Sequence, residues 1–209
     1  MIESWRVELV TPPVLEPLTF AELVDHLRED PETPQRQVLE RLIIAARAEI
    51  ERRCGIALLE QTRRLWLDSF PWSADGEICL PFSPVSSVSS IKYLDQNGDL
   101  QTLASGNESP ALDPDYLVNT ISFPARIMPA YGKFWPATRS QVNAVQIEYV
   151  CGFGDRPEDV PEAIRLQMSR LVGHWYENRE STAPGDALPK EVDDQLQAVI
   201  MDYRISHFA

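Results

Sequence analysis

The sequence predicts an α+β fold, in which helices from both ends of the chain form a bundle around an inserted small antiparallel β-sandwich or barrel. Two observations carry this prediction. Apolar residues recur at helical spacing near both ends, whereas the middle of the chain alternates with a period of two. Prolines also crowd the middle, where they bound short strands because proline cannot donate a hydrogen bond to a β-ladder.

The first predicted helix begins with a capping sequence. The hydroxyl of Thr19 can accept from the amide of Glu22, and the Glu22 carboxylate can accept from the Thr19 amide. Leu18 and Leu23 have the spacing of a hydrophobic staple across this start. The pattern therefore predicts a helix that opens at Thr19 and ends near residues 30–31.

The second helix is predicted between a proline start and a glycine stop. Thr33 is placed as the N-cap, Pro34 occupies the first helical position, and Gly55 is the expected C-cap. The apolar positions between them share one face at helical spacing. They are Leu39, Leu42, Ile43, Ala46 and Ile50.

Short strands are predicted through the middle of the chain. Residues 95–99 read Asp-Gln-Asn-Gly-Asp, a strong hairpin signal because Asn-Gly tolerates the positive φ of a tight turn. The period-two segments and their proline and glycine boundaries give the strand positions. They are residues 62–67, 77–80, 85–94, 100–103, 116–119, 126–128 and 144–150.

A third helix is predicted over residues 161–179, with proline and acidic residues at its start. Its main apolar stripe includes Trp175, and Leu166 and Gly173 lie seven residues apart on the other side. A mid-helix glycine costs about 1 kcal/mol relative to alanine, which the close approach of another helix could offset. A tolerated surface glycine is the alternative.

The last predicted helix, residues 190–208, has two apolar faces. One stripe is formed by Val192, Leu196, Val199 and Tyr203, and Met201, Ile205 and Phe208 fall roughly opposite. An ordinary surface helix has a single apolar stripe that its own domain can cover. The second stripe therefore predicts a binding surface for a partner, to which we assign Met201, Ile205 and Phe208 together with Tyr203 of the first stripe.

These elements predict three parts. Residues 1–62 form an N-terminal helical part, and residues 63–153 form the β-rich insertion. Residues 154–209 form a C-terminal helical part that packs on the N-terminal helices and ends in the partner-binding helix. No βαβ pattern or internal repeat is present.

Composition and motifs argue against most enzyme and nucleic-acid classes. The net charge of −13 opposes tight binding to phosphates. Three widely spaced cysteines indicate neither a disulfide framework nor a zinc site, and no signal peptide or membrane-length apolar run is present. Zinc-protease, phosphate-loop and serine-hydrolase motifs are also missing. We expect a cytosolic origin, no catalysis, no metal and no cofactor.

Two alternatives stay open. Tyr131, Phe134 and Trp135 lie beside Lys133 and Arg139, so they could stack on the bases of a single strand or anchor a protein interface. A nucleic-acid-binding or DNA-packaging accessory protein is therefore one alternative. A small hydrolase that pairs His174 with a cysteine or an acid is the other, although no local signature supports it.

Taken together, the segments resemble the head–tail connector, or adaptor, proteins of long-tailed phages and prophages, in particular the subgroup with a β-rich insertion between helices. No single segment is a catalytic signature, and their order and spacing carry the resemblance. The segments are residues 18–30, 44–51, 55–62, 80–93, 130–139 and 160–180.

The resemblance implies a structural protein of the virion neck, made in the host cytoplasm. It implies a ring, commonly of twelve copies, that sits beneath the portal protein, meets a tail or stopper protein, and lets DNA pass without specific binding. It implies no enzyme activity and no membrane contact. A ring gives each copy two different lateral contacts, and the residues expected there are Leu166, Gly173, Trp175, Tyr176, Tyr131, Phe134 and Trp135.

Overall fold

The computed structural model describes residues 5–30, 32, 34–72, 76–105, 113–178, 193–194, 197–198, 201 and 203. The chain divides into two compact units. One is β-rich and contains residues 5–12 and 61–152, and the other is helical and contains residues 13–60 together with the described residues after 152. The α+β class predicted from the sequence is confirmed.

The β-rich unit is built on a five-stranded antiparallel sheet with the strand order β1-β2-β8-β4-β5. Burial alternates along the central strand β8, where Val145, Ile147 and Tyr149 face the core. The strands are β1 Trp5–Thr11, β2 Gln61–Leu67, β4 Val85–Leu94, β5 Leu100–Thr102 and β8 Val145–Cys151. The predicted hairpin joins β4 to β5, with Gly98 at a φ of 94°.

A second, three-stranded antiparallel sheet has the order β3-β7-β6, with β3 Ile78–Leu80, β6 Tyr116–Asn119 and β7 Ala125–Pro129. Leu80, Tyr116 and Ile127 are buried. On the other face of this sheet, Leu117 of β6 is paired with Met128 of β7, and both are exposed. The described strands form two open sheets, so the barrel that the sequence analysis allowed is not formed by these residues.

Strand β1 was not expected from the sequence, which assigned residues 1–62 to a helical part. It pairs in antiparallel register with β2, and the pairing is interrupted by a bulge between Leu9 and Thr11. Residues 5–9 alternate apolar and charged side chains with a period of two, so the signal of a strand was present in the sequence, and the bulge interrupts the alternation only at Val10. The first strand thus belongs to the β-rich unit rather than to the helices.

The helical unit contains α1 Phe20–Leu27, α2 Arg36–Cys54 and α3 Glu162–Glu177. The capping box of Thr19 and Glu22 forms as predicted, and Gly55 is the C-cap of α2 at a φ of 69°. Helix α2 begins at Arg36 with Gln35 as its N-cap, so Pro34 precedes the helix instead of opening it. The predicted cap Thr33 lies outside the described residues.

One apolar core holds the helical unit together. Its fully buried members come from all three helices and from the segment after α2. They include Leu23, Leu39, Ala46, Ile56, Leu58, Ile164, Met168 and Val172. The stripe predicted on α2 provides much of this core, although Leu42 is only partly buried.

The described residues near the carboxyl end are helical at positions 193–194, 197–198, 201 and 203. Asp193 accepts a hydrogen bond from Arg53 at 2.7 Å, and the ring of Tyr203 contacts that of Phe153 edge-on at 6.4 Å. Tyr203 therefore packs against the helical core, and the other residues of its predicted stripe, Val192, Leu196 and Val199, lie outside the described residues. Ile205 and Phe208 lie outside the described residues.

Candidate interaction surfaces

An open groove in the β-rich unit contains most of the predicted aromatic cluster. Its floor is the pair Phe70 and Trp135, whose rings stack 4.7 Å apart at an interplanar angle of 4°. Tyr93 packs edge-on against Phe70, and the indole nitrogen of Trp135 donates to the carbonyl oxygen of Gly76. Stacked aromatic rings held by a hydrogen bond make a rigid floor.

The rim of the groove is apolar and open to water. Trp72, Phe134 and Val142 are 95%, 90% and 72% exposed, whereas Phe70 in the floor is buried. The groove has a volume of about 1210 Å³. We call it the aromatic groove and define it by Phe70, Trp72, Met128, Phe134, Trp135 and Val142. Exposed aromatic side chains around a rigid concave surface are typical of an interaction site.

The charges at the aromatic groove are unlike those of the chain as a whole. Asp68, Lys133 and Arg139 are the charged side chains in its lining. Lys133 donates to Asp115 at 3.0 Å and lies 3.0 Å from a carboxylate oxygen of Asp113, and these contacts raise the pKa of Lys133. Two cations, Lys133 and Arg139, thus stand against three carboxylates, Asp68, Asp113 and Asp115, so the surroundings of the groove are nearly balanced in charge and slightly negative.

Tyr131 and Ile121 are further exposed apolar side chains of the β-rich unit. They are 103% and 97% exposed, and neither lines the aromatic groove. Two hydrogen bonds from the amides of Ile121 and Ser122 to the Asn119 side chain fix the turn that carries Ile121. Tyr131 thus lies outside the groove that Phe134 and Trp135 line, although the sequence grouped the three residues.

The interface residues predicted on α3 separate into exposed and buried ones. Leu166 is 40% exposed, and Tyr176 is partly buried against the helical core. Trp175 is only 2% exposed, and Gly173 is buried with Leu27 of α1 so near that an added Cβ would lie 3.2 Å from it. The assignment of Gly173 and Trp175 to a subunit interface is therefore corrected, because their surfaces are covered within the same chain.

Gly173 nevertheless allows the close approach of another helix, as the sequence analysis suggested from the cost of a glycine within a helix. Helix α1 approaches α3 closely at this position, and the nearest atom is the Leu27 side chain. The helix that compensates for the glycine belongs to the same chain, and not to a neighbouring copy. In the terminal helix, by contrast, one predicted interface residue is exposed. Met201 is 76% exposed, whereas Tyr203 is partly buried.

The sequence analysis missed one surface, the loop before α1. Arg47 donates from two nitrogens to Glu16, at 2.8 and 3.3 Å, and also to Glu51 at 3.3 Å. Arg165 donates to the carbonyl oxygen of Pro17 at 3.0 Å. We call residues 13–18 the clamped loop. Prolines at 12, 13 and 17 further restrict its backbone.

The clamped loop exposes Val14 and Leu15, which are 95% and 48% exposed, while Leu18 at its end is buried. Burial lowers the pKa of Arg47, but hydrogen bonds and charges of Glu16 and Glu51 outweigh that effect and raise its pKa above the ordinary value. The guanidinium of Arg47 therefore stays charged despite its burial. The available sequence signal was the apolar pair Val14-Leu15 between prolines.

His174, the proposed hydrolase residue, shows no catalytic arrangement. Its Nδ1 lies 3.2 Å from the side-chain amide of Asn178, and its Nε2 has no hydrogen-bond partner among the described residues. No group of three or more metal-ligating side chains occurs in the described part of the chain. No helix of those residues is both long enough and apolar enough to cross a bilayer.

Comparisons with known proteins identify the fold. No protein-family model and no curated protein matches the chain. Three solved structures contain a similar chain, each 24% identical to this one. One is the neck of an empty gene transfer agent particle computed with C6 symmetry, with a TM-score of 0.74 over 98% of this chain and 97% of that one.

The other two structures come from the native particle. One is the virion of a native gene transfer agent, with a TM-score of 0.73 over 97% of each chain. The other is the neck of the native particle computed with C12 symmetry, with a TM-score of 0.70 over 98% of this chain and 97% of that one. The similarity in fold covers 97% or 98% of the chain and therefore includes both compact units.

Proposed function

We propose that the chain is a structural head–tail connector, or adaptor, subunit in the virion neck of a tailed phage, prophage or gene transfer agent. Twelve copies form a ring beneath the portal protein, and the ring meets a tail or stopper protein on its other side. The observation that carries the proposal is the fold shared over 98% of the chain with neck components of gene transfer agent particles. The β-rich unit supports the proposal that the chain belongs to the adaptor subgroup with an insertion between helices.

The charge of the chain suits this role. A wall that carries negative charge does not condense on DNA, because phosphate contacts require cationic side chains. With a net charge of −13 per copy, a ring lets DNA pass without specific binding. The proposal includes no catalysis, no cofactor and no membrane contact, and assembly takes place in the host cytoplasm.

The exposed apolar residues supply the contacts that a ring in a neck requires. Each copy has two different lateral contacts, which close by rotation. We assign these lateral contacts to Leu166, Tyr176, Tyr131, Phe134 and Trp135. Met201, Tyr203, Ile205 and Phe208 of the terminal helix bind the portal or a neighbouring copy.

The test is electron microscopy and mass measurement of the purified protein, alone and mixed with portal. We expect rings, either free or formed on the portal. Replacing Ile205 and Phe208 with Ser should leave the isolated subunit folded and impair assembly. A chain that stays monomeric and has no affinity for portal or tail components refutes the proposal, and unfolding of the variant would mean that these two residues belong to the core.

A second candidate, a nucleic-acid-binding packaging accessory, is favoured only by the cations at the aromatic groove. Lys133 and Arg139 lie beside exposed aromatic rings that could stack on bases. Binding of single-stranded DNA that persists at about 200 mM salt would support this candidate against the charge of the chain. Complete loss of binding at that salt counts against it.

A further inference from the structure

We propose that Asn97 is a deamidation site in the hairpin turn beside the aromatic groove, and that the Asp95 carboxylate slows its reaction. The inference is independent of the proposed neck function. Asn97 and Gly98 form the one Asn-Gly pair in the sequence, and the Asn97 side chain is exposed. The preceding residue, Gln96, lines the groove. Deamidation therefore adds a negative charge next to a candidate interaction surface.

The reaction requires only Asn97, Gly98 and water. The backbone nitrogen of Gly98 loses its proton to water or hydroxide and attacks the side-chain carbonyl carbon of Asn97. The new C–N bond closes a succinimide ring, and the bond to the side-chain amide nitrogen breaks, so that ammonia leaves with a proton taken from water. Water then opens the ring at either carbonyl and gives aspartate or isoaspartate. Glycine favours the attack because it has no Cβ to hinder its nitrogen.

Hydrogen bonds of the turn hold the attacking nitrogen. The Gly98 amide donates to the backbone carbonyl oxygen of Asp95 at 2.9 Å and to its carboxylate Oδ1 at 3.0 Å. The same Oδ1 accepts from the amides of Asn97 and Asp99, at 2.9 and 3.0 Å. An amide that donates to a carboxylate gives up its proton less readily, because the resulting anion would face a negative charge. Asp95 therefore slows the first step of the reaction.

The Asp95 carboxylate is ionised and fixed in place. Hydrogen bonds from the Asp99 amide and the Gln101 side chain lower its pKa and outweigh the opposing effect of desolvation. The Gln101 side chain donates to Oδ2 at 3.0 Å, so both carboxylate oxygens have partners. Attack also requires the Gly98 nitrogen to align with the Asn97 side-chain carbonyl carbon, and these hydrogen bonds oppose that movement. Asp95 thus restrains the geometry of the turn as well as the proton.

Arg139 has the opposite effect on the same nitrogen. Its guanidinium lies so near the Gly98 backbone that a Cβ added to Gly98 would overlap it. A fixed positive charge stabilises the negative charge that develops on a neighbouring nitrogen or oxygen during the attack. Removal of the Asp95 carboxylate would leave this cation without the opposing anion. We therefore expect the turn to become more reactive when Asp95 is replaced.

Peptide mapping by mass spectrometry measures the deamidation rate of Asn97 in the folded full chain during incubation in neutral buffer. The test variant is Asp95→Ala. The matched control is Asp99→Ala, which removes an equal charge from the same turn and keeps the backbone amides that donate to Asp95. We expect Asp95→Ala to react at least about tenfold faster than wild type, and Asp99→Ala to stay within about threefold of it. Equal acceleration in the two variants overturns the role of the Asp95 hydrogen bonds.

Wild type unfolded in urea gives a second test that does not depend on how well Asp95→Ala folds. Unfolding removes the turn, so we expect Asn97 to deamidate at least about tenfold faster in the unfolded chain than in the folded one. The variant Asn97→Gln confirms the assignment of the mass change to this position. A folded wild type that reacts as fast as the unfolded chain overturns the protection by Asp95. Absence of deamidation at Asn97 in the unfolded chain overturns the site itself.

Discussion

The clamped loop and the aromatic groove both hold apolar side chains in water, but different forces fix them. Arg47 and Arg165 hold the loop through charged hydrogen bonds to Glu16 and to the Pro17 carbonyl oxygen. The groove instead rests on the stacked rings of Phe70 and Trp135. The loop should therefore respond to changes in charge and pH, whereas the groove should respond to changes in packing.

The largest expected effect is at the base of the clamped loop. Glu51 is 4% exposed, pairs with Arg47 and accepts from the amide of Leu58 at 3.0 Å. Glu51→Ala leaves a partly buried guanidinium and a buried amide without this carboxylate, so we expect a loss of about 3 kcal/mol in the free energy of unfolding. Urea denaturation of the full chain measures it.

The matched control for Glu51→Ala is Glu40→Ala. Glu40 pairs with Arg36 at the surface of the same helix, with both side chains about half exposed, and its loss should cost under about 0.5 kcal/mol. Equal losses from the two variants would mean that the buried network does not fix the loop. Charged hydrogen bonds would then not be the feature that distinguishes the clamped loop from the aromatic groove.

The second largest expected effect compares the loss of stability on removing a side chain from the floor of the aromatic groove with the loss on removing one from its rim. Trp135→Ala removes a stacked ring and its hydrogen bond to Gly76, so we expect a loss of about 2 kcal/mol in the free energy of unfolding. Trp72→Ala removes a side chain of the same kind that is 95% exposed, and should change stability by less than about 0.5 kcal/mol. Thermal unfolding of the two variants makes the measurement, and a larger loss from Trp72→Ala would reverse our assignment of floor and rim.

The sequence predicted the features that neighbouring residues determine. The Thr19 and Glu22 capping box and the hairpin at Gly98 depend on residues within five positions, and both form as expected. Seven strands were placed within one or two residues for the same reason. Met201 is exposed and Tyr203 is partly buried, and the other residues of the two stripes predicted on the terminal helix lie outside the described part of the chain.

The missed features depend on distant contacts. The clamp joins Arg47 to Glu16 across 31 positions and Arg165 to Pro17 across 148, which no periodicity encodes. The apolar pattern of α3 indicated that Trp175 is buried, but could not say whether its own chain or a neighbour covers it. Burial against the helical core answers that question. A pattern therefore identifies an apolar face more readily than the surface that it meets.

The smallest expected effect is the loss of stability in acid at Glu22. This residue pairs with Arg165, which also donates to the Pro17 carbonyl oxygen of the clamped loop. Burial raises the pKa of Glu22, but hydrogen bonds from Thr19 and Arg165 and the Arg165 charge outweigh it, so the pKa lies below the ordinary value. A lowered folded-state pKa gives stability above the unfolded pKa, and that stability is lost as the pH falls through the folded pKa. Because the side chain is 44% exposed, we expect only a few tenths of a kcal/mol.

The variant Glu22→Gln tests this acid response. Wild type should be the more stable protein at neutral pH, and the difference should shrink toward zero as the pH falls below about 4, where an ordinary glutamate takes up its proton. Urea denaturation at several pH values measures the difference, and Trp135→Ala is the contrasting variant because stacking carries no proton. A Glu22→Gln difference that stays constant from neutral pH into acid would mean that the carboxylate charge does not stabilise this end of the clamp, and the contrast with the groove would then rest on the Arg47 network alone.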